Sequence, residues 1–180
     1  MNKEEIFMLY YVRKAKAEDL ETILLVIEDG RNTLNQQNIP QWRNNDGPNR
    51  KVIIEDIHLE EGYVLIEDNE IVGYGTITKK EQASYDEITN GDWLASTYYV
   101  SLHRVVIHSK IKQRGMSQFF LGHLISFSKE QGFNDIRIDT HPINSRMRKV
   151  IEKAGFSYRG DIILPVENGE REAFQILLEN

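Results

Sequence analysis

The chain has no cysteine among its 180 residues. Disulfides, thiolate metal sites and a cysteinyl covalent intermediate are therefore excluded, and the absence suits a reducing compartment. Positive charge is also scarce: 22 Lys and Arg stand against 28 Asp and Glu, a net charge of -6, with a pI near 5.4. That balance argues against broad binding to nucleic acid or to anionic membranes. No apolar run approaches the roughly 18 residues needed to span a bilayer. The N-terminal stretch Ile6–Val12 is short, follows Glu4-Glu5, precedes Arg13 and has no small-residue cleavage pattern, so it does not read as a signal peptide. It reads as a first strand behind a short leader, residues 1–7, and the default location is cytoplasmic. Internal repeats and low-complexity segments are absent. What remains, 40% hydrophobic and 28% charged residues, fits a soluble globular chain with enough core for one domain over 1–180.

Periodicity places the elements. Met8–Lys14 predicts a strand. Ala17–Asp29 has helical spacing, with Leu20, Ile23, Leu24 and Ile27 on one face; Gly30 is a plausible stop, with a second helix over Arg31–Gln37. Asn38 to Asn49 is a loop and Lys51–Leu59 a short helix. Tyr63–Glu67 and Glu70–Thr78 form a hairpin around Asp68-Asn69. A long polar loop, Lys79 to Ser96, leads into a strand over Thr97–His108. A helix over Ser117–Gln131 is capped by Gly132. Ile136–Thr140 is a strand, and Asn144 caps a helix whose apolar face holds Met147, Val150 and Ile151. Two last strands, Phe156–Leu164 and Glu172–Leu178, flank Glu167-Asn168-Gly169-Glu170. The order is that of an α/β (α+β) fold on one central sheet.

One segment carries chemistry. The run Val105-Val106-Ile107 stops at the basic turn Ser109-Lys110-Ile111-Lys112-Gln113-Arg114-Gly115, and an apolar-periodic helix follows. The first N–H groups of that helix lack intrahelical partners, and the dipole favours an anion there. Lys110, Lys112 and Arg114 add fixed positive charge. The turn is neither a P-loop nor a dinucleotide fingerprint, since it lacks G-x-x-x-x-G-K-[ST] and has only Gly115 of G-x-G-x-x-G. An ordinary strand-to-helix turn with solvated lysines is the alternative.

The turn resembles the coenzyme A pyrophosphate loop of the GNAT N-acetyltransferases, [RQ]-x-x-G-x-[GA], over Lys112, Gln113, Arg114, Gly115, Met116 and Ser117. Lys112 stands for the usual Arg or Gln and Ser117 for the usual Gly or Ala. Further on, Asn144 to Met147 matches the family's N-x-x-[AM], and Glu152 to Phe156 matches its E-K-x-G-F. The pair Gln41-Trp42 resembles a bacterial branch. The resemblance implies a mixed, mostly antiparallel sheet of about seven strands, splayed in the middle, with about four helices. It implies acetyl-CoA as co-substrate, without metal, held by Val105, Val106, Ile107, the turn Lys112 to Gln118 and Asn144. It further implies acetyl transfer straight to a primary amine of a small molecule or peptide, and it leaves a homodimer through the C-terminal strands open. A catalytically weak acyl-CoA-binding module is the alternative function. Nucleic-acid binding through the basic turn and Arg146–Lys149 is disfavoured by the net charge.

The acid and base are less determined. The family often places a tyrosine four residues before its G-F pair to protonate the departing thiolate; here that residue is Ile151. Tyr98 and Tyr99, one on each strand face, are the alternative acids. Many family members carry a Glu base where Ser101 stands. Period two puts Ser101, His103, Val105 and Ile107 on one face, which makes His103 a candidate base or else a half-buried histidine bonded across the sheet. His108 is expected on the opposite face. His58, His123 and His141 show no ligand spacing, and His141 either contacts CoA or shapes the turn before Pro142. Trp42 covers the acceptor site or plugs the core. Asp86, Glu87 and Asp92 attract a cationic acceptor or form a solvated loop.

Overall fold

The computed structural model describes residues 8–44, 46–94, 98–111 and 115–179. Lys112, Gln113 and Arg114 therefore lie outside the described residues. Seven strands form one sheet: β1 (Tyr10–Lys14), β2 (Gly62–Glu67), β3 (Glu70–Thr78), β4 (Tyr99–Ile107), β5 (Asp135–Thr140), β6 (Ser157–Ile163) and β7 (Glu170–Leu177). Their spatial order is β1-β2-β3-β4-β5-β7-β6. Every pairing is antiparallel except β4 with β5. The β2–β3 turn has φ of 44° at Asp68 and 72° at Asn69, the left-handed pair that a two-residue hairpin requires and that Asp and Asn tolerate.

Among the described residues five α-helices accompany the sheet: α1 (Leu20–Gln36), α2 (Arg50–His58), the one-turn α3 (Ala83–Asp86), α4 (Met116–Glu130) and α5 (Ser145–Lys153). On one face, α1 and α2 bury Ile23, Val26, Ile27 and Ile53 against Val64, Ile66, Tyr74 and Val106. On the other, Phe120, Leu121 and Leu124 of α4 and Ile151 of α5 meet Leu65, Ile77, Leu102, Ile107 and Ile138. No helix among the described residues is long and apolar enough to cross a membrane.

Gly30 does not stop the first helix. The buried positions Ile23, Val26, Ile27 and Gly30 form one continuous stripe at i, i+3, i+4 and i+7. Gly30 lies on that stripe because the sheet comes close: a Cβ there would sit 2.4 Å from Val106 Cγ2. The helix needs a small residue at this contact, and its other packing offsets the propensity cost of about 1 kcal/mol.

The middle strand is not regular either. Tyr74 pairs with Val106 but Thr76 with His103, so β4 carries one extra residue between them. Arg104 sits in that bulge at φ 57°. A bulge reverses the side-chain alternation beyond it. Val105 and Ile107 therefore pack with Leu102 towards α4, while Val106 faces α1. His103, next to Leu102, points to the α1 side and does not share a face with Val105 and Ile107. For the same reason His108 is not opposed to it: His108 Nδ1 lies 3.8 Å from Asp29 of α1.

Candidate active site

β4 and β5 pair only from Tyr99↔Asp135 to Leu102↔Ile138. Beyond that point β5 keeps its pairing with β7 and β4 keeps its pairing with β3, but the two strands part. The bulge lies at the parting. A cavity of about 340 Å3 occupies the gap. Residues of α1, the following loop and α2 line it on one side of the sheet, and Ser117, Asn144, Met147 and Val150 of α4 and α5 line it on the other. It is thus a cleft through the sheet, open towards both layers.

The residues expected to hold a cofactor divide into three groups. Val105, Val106, Ile107, Ser117 and Asn144 line the cleft. Gly115 opens α4 with φ 74°, the left-handed region that favours glycine; its carbonyl accepts from Gln118 and Phe119 N–H at 3.1 Å each. Met116 packs into the core beneath α4, and the Gln118 side chain donates to Val150 O at 2.8 Å, joining α4 to α5. These two residues shape the site without lining the cleft. Lys110 is taken up by Glu70, 2.5 Å away. Asn144 caps α5 by accepting from Met147 N–H at 3.1 Å. His141 accepts from Ile143 N–H through Nδ1, and so shapes the turn before Pro142.

At the parting, His103 and Asp139 face each other from β4 and β5, with Nδ1 3.8 Å from Oδ2. Asp139 accepts from the hydroxyl of fully buried Tyr85 at 2.8 Å, and Arg171 Nε lies 3.7 Å from its other oxygen. Burial holds the His103 imidazole below its ordinary pKa; Asp139 pulls the other way and Arg104 adds to the lowering. At neutral pH it is uncharged. Arg104 itself is bound to Asp56 at 2.6 Å, and Tyr74 donates to the same carboxylate at 2.8 Å.

Neither expected acid is in the cleft. Tyr98 is 68% exposed and stacks on Phe133 with ring centroids 4.7 Å apart. The Tyr99 hydroxyl accepts from Gln82 N–H at 3.0 Å, and the Arg137 guanidinium covers its ring. Ile151 is fully buried in the core under α4. Ser101 is also fully buried. Asp86, Glu87 and Asp92 do not line the cleft; the carboxylates that do are Asp46, Asp139 and Glu167. Trp42 lines the cleft and packs on the α1 core. Asp139, Arg104 and Arg171 were not singled out from sequence. Asp139 had one signal: a charge at the end of an alternating strand, beside Thr140.

A family model described as the acetyltransferase (GNAT) family matches residues 28–156. A solved GNAT-family acetyltransferase from Streptococcus agalactiae 2603 is 32% identical with a TM-score of 0.87, covering 95% of this chain and 96% of that one. One from Listeria monocytogenes 4b F2365 is 20% identical with a TM-score of 0.74, covering 94% and 95%, and an N-acetyltransferase from Staphylococcus aureus Mu50 is 16% identical with a TM-score of 0.70, covering 95% and 99%. These last two share the fold. Among curated proteins none matches. With the parted strands, the helix N-terminus beside them and a family model over most of its length, this chain belongs to the GNAT acetyltransferase family.

Proposed function

We propose that the chain is an acetyl-CoA-dependent N-acetyltransferase that moves an acetyl group directly to a primary amine. The single observation that carries this reading is the cleft through the sheet where β4 and β5 part. Its shape suits a thin extended arm. Beyond Leu102 the β4 backbone has no strand partner on the β5 side, so Val105, Val106 and Ile107 offer main-chain groups to a ligand. Thr140 Oγ1 lines the same cleft, buried and without a partner. The N-terminus of α4, starting at Gly115, suits the pyrophosphate, together with Lys112, Gln113 and Arg114 by resemblance. The Asn144 carbonyl is committed to its cap, which leaves its NH2 group for the ligand.

Bound there, acetyl-CoA supplies an acetyl thioester whose C–S bond breaks as the acceptor nitrogen forms its C–N bond. The acceptor must first lose a proton, since an alkyl amine has a reference pKa of about 10.4. His103 takes it, being uncharged at neutral pH and at the strand parting. Asp139, beside it, stabilises the imidazolium that results. As the C–N bond forms the nitrogen sheds its second proton; the leaving thiol, with a cysteine-like reference pKa of about 8.5, departs as an anion without an obligatory acid, and that proton reaches it through solvent.

One observation favours a second reading, a weak acyl-CoA-binding module: no tyrosine is among the residues that line the cleft. Thiol release from acetyl-CoA with a broad amine panel separates the two. Amine-dependent release above hydrolysis supports the transferase; CoA binding without such release supports the module.

A further inference from the structure

We propose that the acceptor is a lipophilic primary amine without a carboxylate, an alkyl or aryl-alkyl amine; this rests on the acetyl-transfer reading above. The acceptor half of the cleft, on the α1 and α2 side, is walled by Leu34, Pro40, Trp42, Val52, Leu164 and Val166. Such a wall favours an apolar body over a hydrated one.

The charges in the cleft decide the rest. Its two cations on the β4 and β7 strands already have partners. Arg104 is bound to Asp56 at 2.6 Å. Arg171 lies beside Asp139 and donates to the carbonyls of Asn168 and Glu170 at 2.9 and 2.7 Å. His103 is uncharged at neutral pH because burial lowers its pKa. Two exposed carboxylates remain, Asp46 on the α1–α2 loop and Glu167 on the β6–β7 turn. Among the described residues neither has a cationic partner. Glu167 accepts from the neutral amide of Asn44 at 2.7 Å, which ties the two loops together. The nearby Arg31 and Arg43 line a separate recess that shares only Trp42 with the cleft. Among the described residues, the one cleft cation with no carboxylate partner, Arg146, is on α5, at the end assigned to the cofactor. The cleft is thus negative where the acceptor enters and positive where the cofactor enters. An ammonium is attracted to the entrance. A carboxylate on the acceptor would meet two like charges, while the Arg104 and Arg171 guanidinium groups on that side already have partners, a juxtaposition that disfavours such ligands.

Matched pairs test this: hexylamine against 6-aminohexanoate, and phenethylamine against phenylalanine, with spermidine as a polar polycation. Two readings are taken, kcat/KM for thiol release and equilibrium binding to CoA-saturated protein. The carboxylate-free member is expected to win each pair by about ten-fold or more in both, and kcat/KM to rise about four-fold per methylene from propylamine to hexylamine. Asp46→Asn with Glu167→Gln should narrow the gap within each pair and leave CoA affinity unchanged. Equal or better use of the carboxylated members, a preference for spermidine, or failure of every amine to bind would overturn the acceptor class. Binding of hexylamine and phenethylamine in the expected order without any thiol release would leave the class standing and overturn acetyl transfer instead.

Discussion

Asn144 holds a helix with the oxygen of its amide, and the proposed function gives the nitrogen to the cofactor, so the two roles separate by substitution. Asn144→Asp keeps an acceptor for the Met147 N–H, and the melting temperature should stay within a few degrees of wild type, because an Asp cap is worth about as much as an Asn cap. The added negative charge should weaken CoA binding about ten-fold, as read by calorimetry; unchanged affinity would leave Asn144 with the cap alone. His103 makes a pH prediction. Its folded pKa is lowered by burial, so the acid limb of kcat/KM should rise with pH and level off below the reference value of about 6.5. Linkage runs the same way: the folded state binds fewer protons, so the His103 contribution to stability is lost as pH falls below about 6.5. His103→Gln should flatten that part of the stability profile, with the His141 contribution, also lowered by burial, remaining. It should also cost about 10²–10⁴ in rate if the imidazole is the base. Ile151→Tyr belongs here too. Resemblance alone points that position at the leaving thiolate, and Ile151 is fully buried under α4. The substitution should cost about 1–3 kcal/mol by overpacking, read by denaturant unfolding, with no gain in turnover.

At the scale of elements, two backbone features bring the cleft walls into place. α1 runs unbroken past Gly30, which lets Thr33, Leu34 and Gln37 reach the cleft. Gly30→Ala should destabilise by about 1–3 kcal/mol, because its Cβ would strike Val106 and the strand must shift; a neutral ΔΔG would mean the helix can move away freely. The bulge at Arg104 turns Val106 towards α1, while His103, just before it, keeps the regular alternation that sets it opposite Asp139. These features explain where sequence reading succeeded and failed. The hairpin at Asp68-Asn69, the Asn144 cap and the helix ending before Gly132 were legible because each depends on local backbone chemistry. Gly30 misled because its reason is a contact with Val106, distant in sequence. His103 was named, but on the wrong face, since period two assumes a ladder without an extra residue. Asp139 and Arg171 could not be grouped with it, because the β4–β5 and β5–β7 pairings alone bring them together. Asp86, Glu87 and Asp92, read either as an acceptor-attracting or as a solvated loop, do not line the cleft, whereas Asp46 and Glu167, which do, carry no local signal because only the fold brings their loops to it.

In the proposed reading the whole molecule separates its tasks by layer. α4 and α5 present a helix N-terminus, Ser117, Asn144 and Arg146 on one side of the sheet. α1, α2 and their loop present an apolar, acid-rimmed chamber on the other. The parted strands join the two, and His103 with Asp139 stands at the junction. The elements on the α4 and α5 side were legible in the sequence because their motifs are contiguous, and the opposite chamber was not, because separate segments of the chain build it. The most direct test of the central claim is mass-spectrometric detection of acetylated amine after incubating the protein with acetyl-CoA and an amine panel that includes hexylamine and phenethylamine. Acetyl transfer predicts one acetylated amine for each thiol released, at a rate that falls sharply in His103→Gln. Tight CoA binding with no acetylated amine above the uncatalysed background would contradict it.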